Sequence, residues 1–296
     1  MSTTASELPG LIHLQGAALQ VHVFAHQDDW ILFGGEYALA RLAQPQQPLL
    51  IIHTTAGDAG QADGWWEARE LAAVLALKQH MGNPPITISR PRLRGHSLQR
   101  YACGPAVLYF LRCADGGKAG AGFAAHRRRS LSRLQAGGKP LPAVDGSTRY
   151  RNWNDLCRTL TAIIRRERRQ CHPKASADAT WIVSGDHDAA RNPGDHADHQ
   201  ATAAAVRAVA AAEGYGRGWL LTYCSRNHPA NLAPALSSPK HKLFRRYGEA
   251  LGELIGGEGG VNAEEWTWWG CRSHGRWLEP GATDHPEPDE PSTGKH

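Results

Sequence analysis

Leu19-Gln20-Val21-His22-Val23-Phe24-Ala25-His26-Gln27-Asp28-Asp29 is the stretch on which the reading of this fold turns. Its first half is mostly apolar and reads as a buried strand, and its second half is a polar turn. Trp30 to Ala43 then follows helical spacing and stops before Gln44-Pro45. The same alternation recurs further along. Pro48 to Thr55 reads as a strand with Ala56-Gly57-Asp58-Ala59-Gly60 as its turn, Trp65 to Gln79 as a helix, and Ile86 to Ser89 as a third strand. Tyr150 to Gln170 reads as a long amphipathic helix, Trp181 to Ser184 as a short strand, Ala201 to Glu213 as a helix and Gly218 to Cys224 as a strand. Strands alternating with helices predict an α/β fold, a Rossmann-like doubly wound and mainly parallel sheet flanked by helices. Such sheets gather ligands beyond the carboxyl ends of their strands, where the strand order switches.

Two polar clusters therefore belong on one rim of the sheet. The first is His26-Gln27-Asp28-Asp29, and the second, after the Trp181 strand, is Asp195-His196-Ala197-Asp198-His199. Imidazole and carboxylate are the ligands of a borderline divalent ion, and a catalytic site keeps one position open for water. His26, Asp29 and His199 can supply three ligands, leaving Asp28 and His196 beside the open position. Each cluster also has a plain structural reading. Asp28-Asp29 can form an Asx-turn or cap the helix that starts at Trp30. His196 and His199 stand one helical turn apart with Asp195 as a candidate N-cap, in a chain with 16 histidines. Asp198 fits either a partner that fixes a histidine tautomer or a solvated residue. His26 between a buried strand and the aspartate pair has no packing role, and the two clusters together read as a zinc hydrolase.

The rest of the composition narrows the class. At 296 residues and 41% apolar content the chain can bury a large core. A single domain is expected over residues 1–280, followed by a disordered tail, 281–296, rich in Pro, Glu, Asp, Ser and Thr. No apolar run reaches the roughly 18 residues of a membrane span. The N-terminus has no charged start followed by an apolar block, so a cytoplasmic protein is expected. The six cysteines are scattered, without a Cys-x-x-Cys pair, and are expected to be reduced. The net charge of +5 concentrates in His126-Arg127-Arg128-Arg129 and Arg165-Arg166-Glu167-Arg168-Arg169. These runs read as solvated faces in preference to a nucleic-acid site, and no nucleic-acid module signature accompanies them. Asp115 to Ser147, rich in Gly, Pro and Arg, reads as a covering loop on the substrate side. Trp65-Trp66 and Trp266-Thr267-Trp268-Trp269 read as packing.

With these residues in place the chain resembles the PIG-L/LmbE-like zinc-dependent N-deacetylases, whose signatures are His-Pro-Asp-Asp after the first strand and His-Pro-Asp-His downstream. Ala25-His26-Gln27-Asp28-Asp29 and Asp195-His196-Ala197-Asp198-His199 carry the likeness, with Thr55-Ala56-Gly57-Asp58-Ala59-Gly60 and Arg69-Glu70, over roughly residues 19–232. The resemblance implies Zn2+, or another divalent metal, on His26, Asp29 and His199. It implies Asp28 as general base and a protonated His196 as oxyanion stabiliser. It implies a small-molecule or glycan substrate, an N-acetylglucosamine-type sugar or conjugate, with an amidase acting on a non-acetyl amide as the alternative. Arg69 and Asp58 are candidate substrate contacts, with a surface ion pair and a turn residue as their plain readings. A basic nucleic-acid or anionic-surface binder is a reading of a different class. The chain departs from the pattern at Gln27, where proline is usual, at Trp30, and at Gly194, where some relatives carry a tyrosine.

Overall fold

The computed structural model describes residues 8, 10–44, 47–257 and 263–284. Its main sheet has eight strands: β1 (Leu19–Phe24), β2 (Leu49–Thr55), β3 (Ile86–Ser89), β4 (Gln99–Cys103), β5 (Ala106–Cys113), β6 (Thr180–Gly185), β7 (Gly216–Leu220) and β8 (Gly275–Leu278). The spatial order is β8-β7-β6-β1-β2-β5-β4-β3. The central run from β7 to β5 is parallel, and antiparallel pairings of β8 with β7, β4 with β5 and β3 with β4 close its edges. The doubly wound, mainly parallel sheet expected from the sequence is the one observed.

β1 and β2 are buried along their whole length, as strands covered on both faces are. Side chains alternate across β2, so Leu49 and Ile51 enter one core while Leu50 and Ile52 enter the other. Gln20 and His22 are the polar residues inside β1, and the Gln20 amide donates to His22 Nε2 at 2.7 Å. Burial pushes His22 down to about 3, so its ring stays neutral and can accept.

Helices α1 (Asp29–Leu42), α2 (Trp65–His80) and α5 (Pro234–Ile255) cover one face; α3 (Trp153–Cys171) and α4 (Ala197–Glu213) cover the other. β1 and β6 are neighbours, yet α1 leaves β1 toward the first face and α4 follows β6 on the second. Their carboxyl ends thus form the switch point of the sheet, and both polar clusters sit there.

Several expectations change. Residues 90–114, for which the sequence reading gives no element, contain the β4–β5 hairpin, turned at Gly104-Pro105 with Gly104 at φ +55°. The strand expected over Gly218 to Cys224 ends at Leu220, and Tyr223–Asn227 is a short 3-10 helix. The 115–147 segment is no free-standing lid. Leu131 and Leu134, on the short helix Leu131–Gln135, and Leu141 are buried in the second core and pin it down. Gly281 to Asp284 belong to the fold, because Asp284 takes hydrogen bonds from Arg276 Nη1 at 2.7 Å and Trp219 Nε1 at 3.1 Å. Residues 285–296, where the rest of the disordered tail is expected, lie outside the described residues. All six cysteines are free thiols. Among the described residues no helix is long and apolar enough to cross a membrane.

Candidate metal centre

The switch point brings residues 26, 29 and 199 into direct contact. His26 Nδ1 and Asp29 Oδ2 are 3.3 Å apart, His199 Nε2 and Asp29 Oδ2 3.2 Å, and His199 Nε2 and His26 Nδ1 3.2 Å. Donor atoms bound to a tetrahedral zinc at about 2.0–2.1 Å stand about 3.3–3.4 Å from one another. The triangle has the size of one face of that shell, and all three residues are buried. His196 adds a third imidazole within ligand range of His26 and His199.

Local folding aims each donor. Asp29 opens α1, and its Oδ2 accepts the His26 backbone N–H at 2.7 Å. His199 lies in the first turn of α4, and its Nδ1 donates to Asp195 Oδ1 at 2.7 Å, which leaves the Nε2 lone pair facing the triangle. Asp195 also accepts the His196 backbone N–H at 2.9 Å and the Asn192 amide at 3.0 Å. Because Asp195 is turned toward His199, the cap of α4 falls to His196, whose Nδ1 accepts the Asp198 N–H at 3.2 Å. That bond leaves the proton on His196 Nε2. Burial, followed by the neighbouring His26 and His199, holds His196 well below the usual imidazole range. Both features favour the neutral ring over the imidazolium that the resemblance implies.

The triangle itself favours positive charge. Burial opposes protonation of His26 and His199, but the carboxylates outweigh it. Asp29, with Asp198 and Asp115, raises His26 well above its ordinary value; Asp29 and Asp195 raise His199 to about 10. Burial would raise Asp29, yet His199 and His26 hold it far below the carboxylate range. A divalent cation meets the same electrostatic demand, so these residues fit one.

Asp28 occupies the cap position of α1 but makes no capping bond. Its Oδ1 instead accepts Arg69 Nη2 at 2.7 Å, and Arg69 also donates to the Gly57 carbonyl at 2.8 Å and the Tyr247 hydroxyl at 3.2 Å. Gly57 has φ +58°, and a Cβ there would stand 2.4 Å from Arg69 Nη1, so glycine gives the guanidinium its room. Arg69 is thus an internal clamp on Asp28 that also borders open space. Asp58 is fully buried and accepts from Gly60 N at 2.8 Å, Asp115 N at 2.9 Å and His126 Nε2 at 2.7 Å, tying two loops together.

Above the triangle lies a cavity of about 200 Å3. Asp28, Arg69 and His196 line it, together with Asp115, Tyr223 and Glu265, which no motif marks in the sequence, and Trp269, whose expected role is packing. Tyr223 stacks on Trp269 with centroids 4.7 Å apart, and Phe33 meets Trp269 edge-on at 5.8 Å. Burial and the nearby Asp29 and Asp28 push the Tyr223 phenol up, so it keeps its proton. Burial and Asp28 push Glu265 up to about 7. Tyr223 was concealed by its assignment to a strand interior, and Trp269 by a packing role that it also performs.

Fold and site together define a Rossmann-like α/β protein with a buried histidine–aspartate cluster, competent for a metal, at the switch point. No protein-family model matches the chain, and no curated protein matches it. Solved structures do. A triple mutant of a deacetylase from the teicoplanin biosynthetic pathway is 15% identical, over 80% of this chain and 83% of that one, at a TM-score of 0.44. The zinc-inhibited form of teicoplanin deacetylase Orf2 is likewise 15% identical, over 80% and 85%, at 0.43. GalB, the 4-carboxy-2-hydroxymuconate hydratase of Pseudomonas putida KT2440, is 14% identical over 80% and 89%, at 0.36.

Proposed function

We propose that this protein is a zinc-dependent N-deacetylase acting on an N-acetylated sugar or sugar conjugate, with the metal held by His26, Asp29 and His199. The observation that carries the reading is the donor triangle, of zinc dimensions, beside a carboxylate that declines its capping role and is clamped by Arg69. When bound, a divalent ion there supplies Lewis acidity and brings the pKa of water toward about 7. Asp28 accepts the proton of the attacking water and returns it to the departing amine nitrogen. Arg69 occupies Asp28 Oδ1, which leaves Oδ2 for that proton. The His196 Nε2–H and the Tyr223 hydroxyl are the donors for the carbonyl oxygen as negative charge develops. Tyr223 thereby answers for the tyrosine that Gly194 lacks.

Leu32, Phe33 and Trp269 supply the apolar part of the lining of the cavity of about 200 Å3, a surface on which an acetyl methyl can pack. Other divalent metals can occupy a site of two imidazoles and one carboxylate. Six free thiols fit a reducing, cytoplasmic setting. The test is acetate release from a panel of N-acetyl sugars and conjugates, run beside propionyl and larger amides. Acetate release restricted to acetyl substrates supports the reading; cleavage of the larger amides alone replaces it with the amidase.

A further inference from the structure

His26 has two ring nitrogens and two sets of neighbours. Nδ1 belongs to the triangle, whereas Nε2 is buried without a hydrogen-bond partner. Its nearest carboxylate oxygens are Asp198 Oδ2 at 3.5 Å, at the outer limit of a hydrogen bond, and Asp115 Oδ2 at 3.8 Å, beyond it. A metal-bound histidine ordinarily gives its second N–H to one carboxylate in close contact; this ring faces two carboxylates, each at a long distance. Asp198 is fully buried, its Oδ2 accepting Gly116 N at 2.8 Å while Oδ1 has no partner. Gly116 keeps that oxygen clear, since a Cβ at 116 would stand 2.6 Å from it. Asp115 uses Oδ1 to accept Gly117 N at 2.7 Å, which leaves Oδ2 toward the ring. His196 Nδ1 is 3.9 Å from Asp198 Oδ2, and ligand atoms of all four residues lie within 4.8 Å of one another. Donors about 2.1–2.2 Å from one ion stand about 3.5–3.9 Å apart at angles of about 110–130°.

Charge counting agrees. Arg69 balances Asp28, but Asp29, Asp115, Asp195 and Asp198 are also buried around the cluster. Buried carboxylates demand compensation, which a single ion at the triangle does not supply to Asp115 and Asp198 on the far side of the His26 ring.

We propose a second divalent-cation site on the far side of the His26 ring, formed by His26 Nε2, Asp115 and Asp198 with His196 alongside, so that one imidazole bridges two ions. It rests on the reading of His26 as a ligand of the first. The nitrogen-and-carboxylate donor set suits a borderline ion such as Zn2+ or Mn2+. Binding sends the Nε2 proton of His26 to solvent, and each ring nitrogen then holds a metal.

The test is metal content after equilibrium dialysis of the full chain against Mn2+, with electron paramagnetic resonance on the same samples. Wild type should hold two ions per chain and give the spectrum of a coupled pair. Asp198→Asn and Asp115→Asn should each hold one, with an isolated-ion spectrum. One isolated ion in wild type overturns the second site and leaves the first standing. Two ions that persist in both variants also overturn it, by placing the second ion elsewhere. No ion in wild type overturns this site together with the reading beneath it. The wild-type spectrum decides the matter even if a variant fails to fold.

Discussion

Asp28 carries the sharpest claim at the residue scale, because its position suits a helix cap and its side chain binds Arg69 instead. Asp28→Asn should lower turnover about 10²- to 10⁴-fold, the usual worth of a general base. Its bound metal, read by elemental analysis, should be unchanged. Asp195→Ala removes the acceptor that orients His199 and should weaken metal affinity about 10- to 100-fold in a chelator competition. His26, Asp28, Asp29, His196 and His199 were legible in the sequence because each stands in a polar turn with partners at fixed spacing. Asp115, Tyr223 and Glu265 were not, since each is a single polar residue brought in by its own loop. The protonation of His196 was likewise beyond reach, depending as it does on the Asp198 N–H and two imidazoles from other turns.

Between elements, Glu36 on α1 forms an ion pair with Lys240 on α5, 2.8 Å long with both side chains fully buried. Lys240→Met strands a buried carboxylate and should cost about 3–5 kcal/mol in urea unfolding, much of it recovered by adding Glu36→Gln. His126 joins the 115–147 segment to Asp58, and that hydrogen bond raises the histidine above its ordinary value. A raised folded-state value means the contribution is full below the unfolded pKa of about 6.5 and is lost as pH climbs through the folded one. The melting difference between wild type and His126→Asn should therefore shrink from pH 6 toward pH 9. Helices α1 to α4 and strands β1, β2 and β6 were legible because their apolar spacing is strong. The 115–147 segment misled because its few leucines carry no periodicity and reveal their anchoring only against α4.

On the scale of the whole molecule, metal and fold are linked. An ion present at about 100 times its Kd adds about 2.7 kcal/mol, worth roughly 4 °C in a chain of this size. A chelator should lower the wild-type melting temperature by that amount and leave His26→Ala unmoved. The basic charge has a place of its own, a groove of about 960 Å3 between α3 and α4 lined by Arg158, Arg165, Arg166 and Arg169. Arg165 is tied to Glu213 at 2.7 Å and Arg166 is paired with Glu167, so part of that charge is already engaged. DNA or RNA should show no salt-sensitive shift with the protein; a shift without bound metal would restore the binder reading. The most direct test of the central claim is an anomalous difference map at the zinc edge from crystals of the zinc-loaded protein. A peak about 2.0–2.2 Å from His26 Nδ1, Asp29 Oδ2 and His199 Nε2 is the predicted result; zinc bound elsewhere, with those three atoms free of it, would contradict the account.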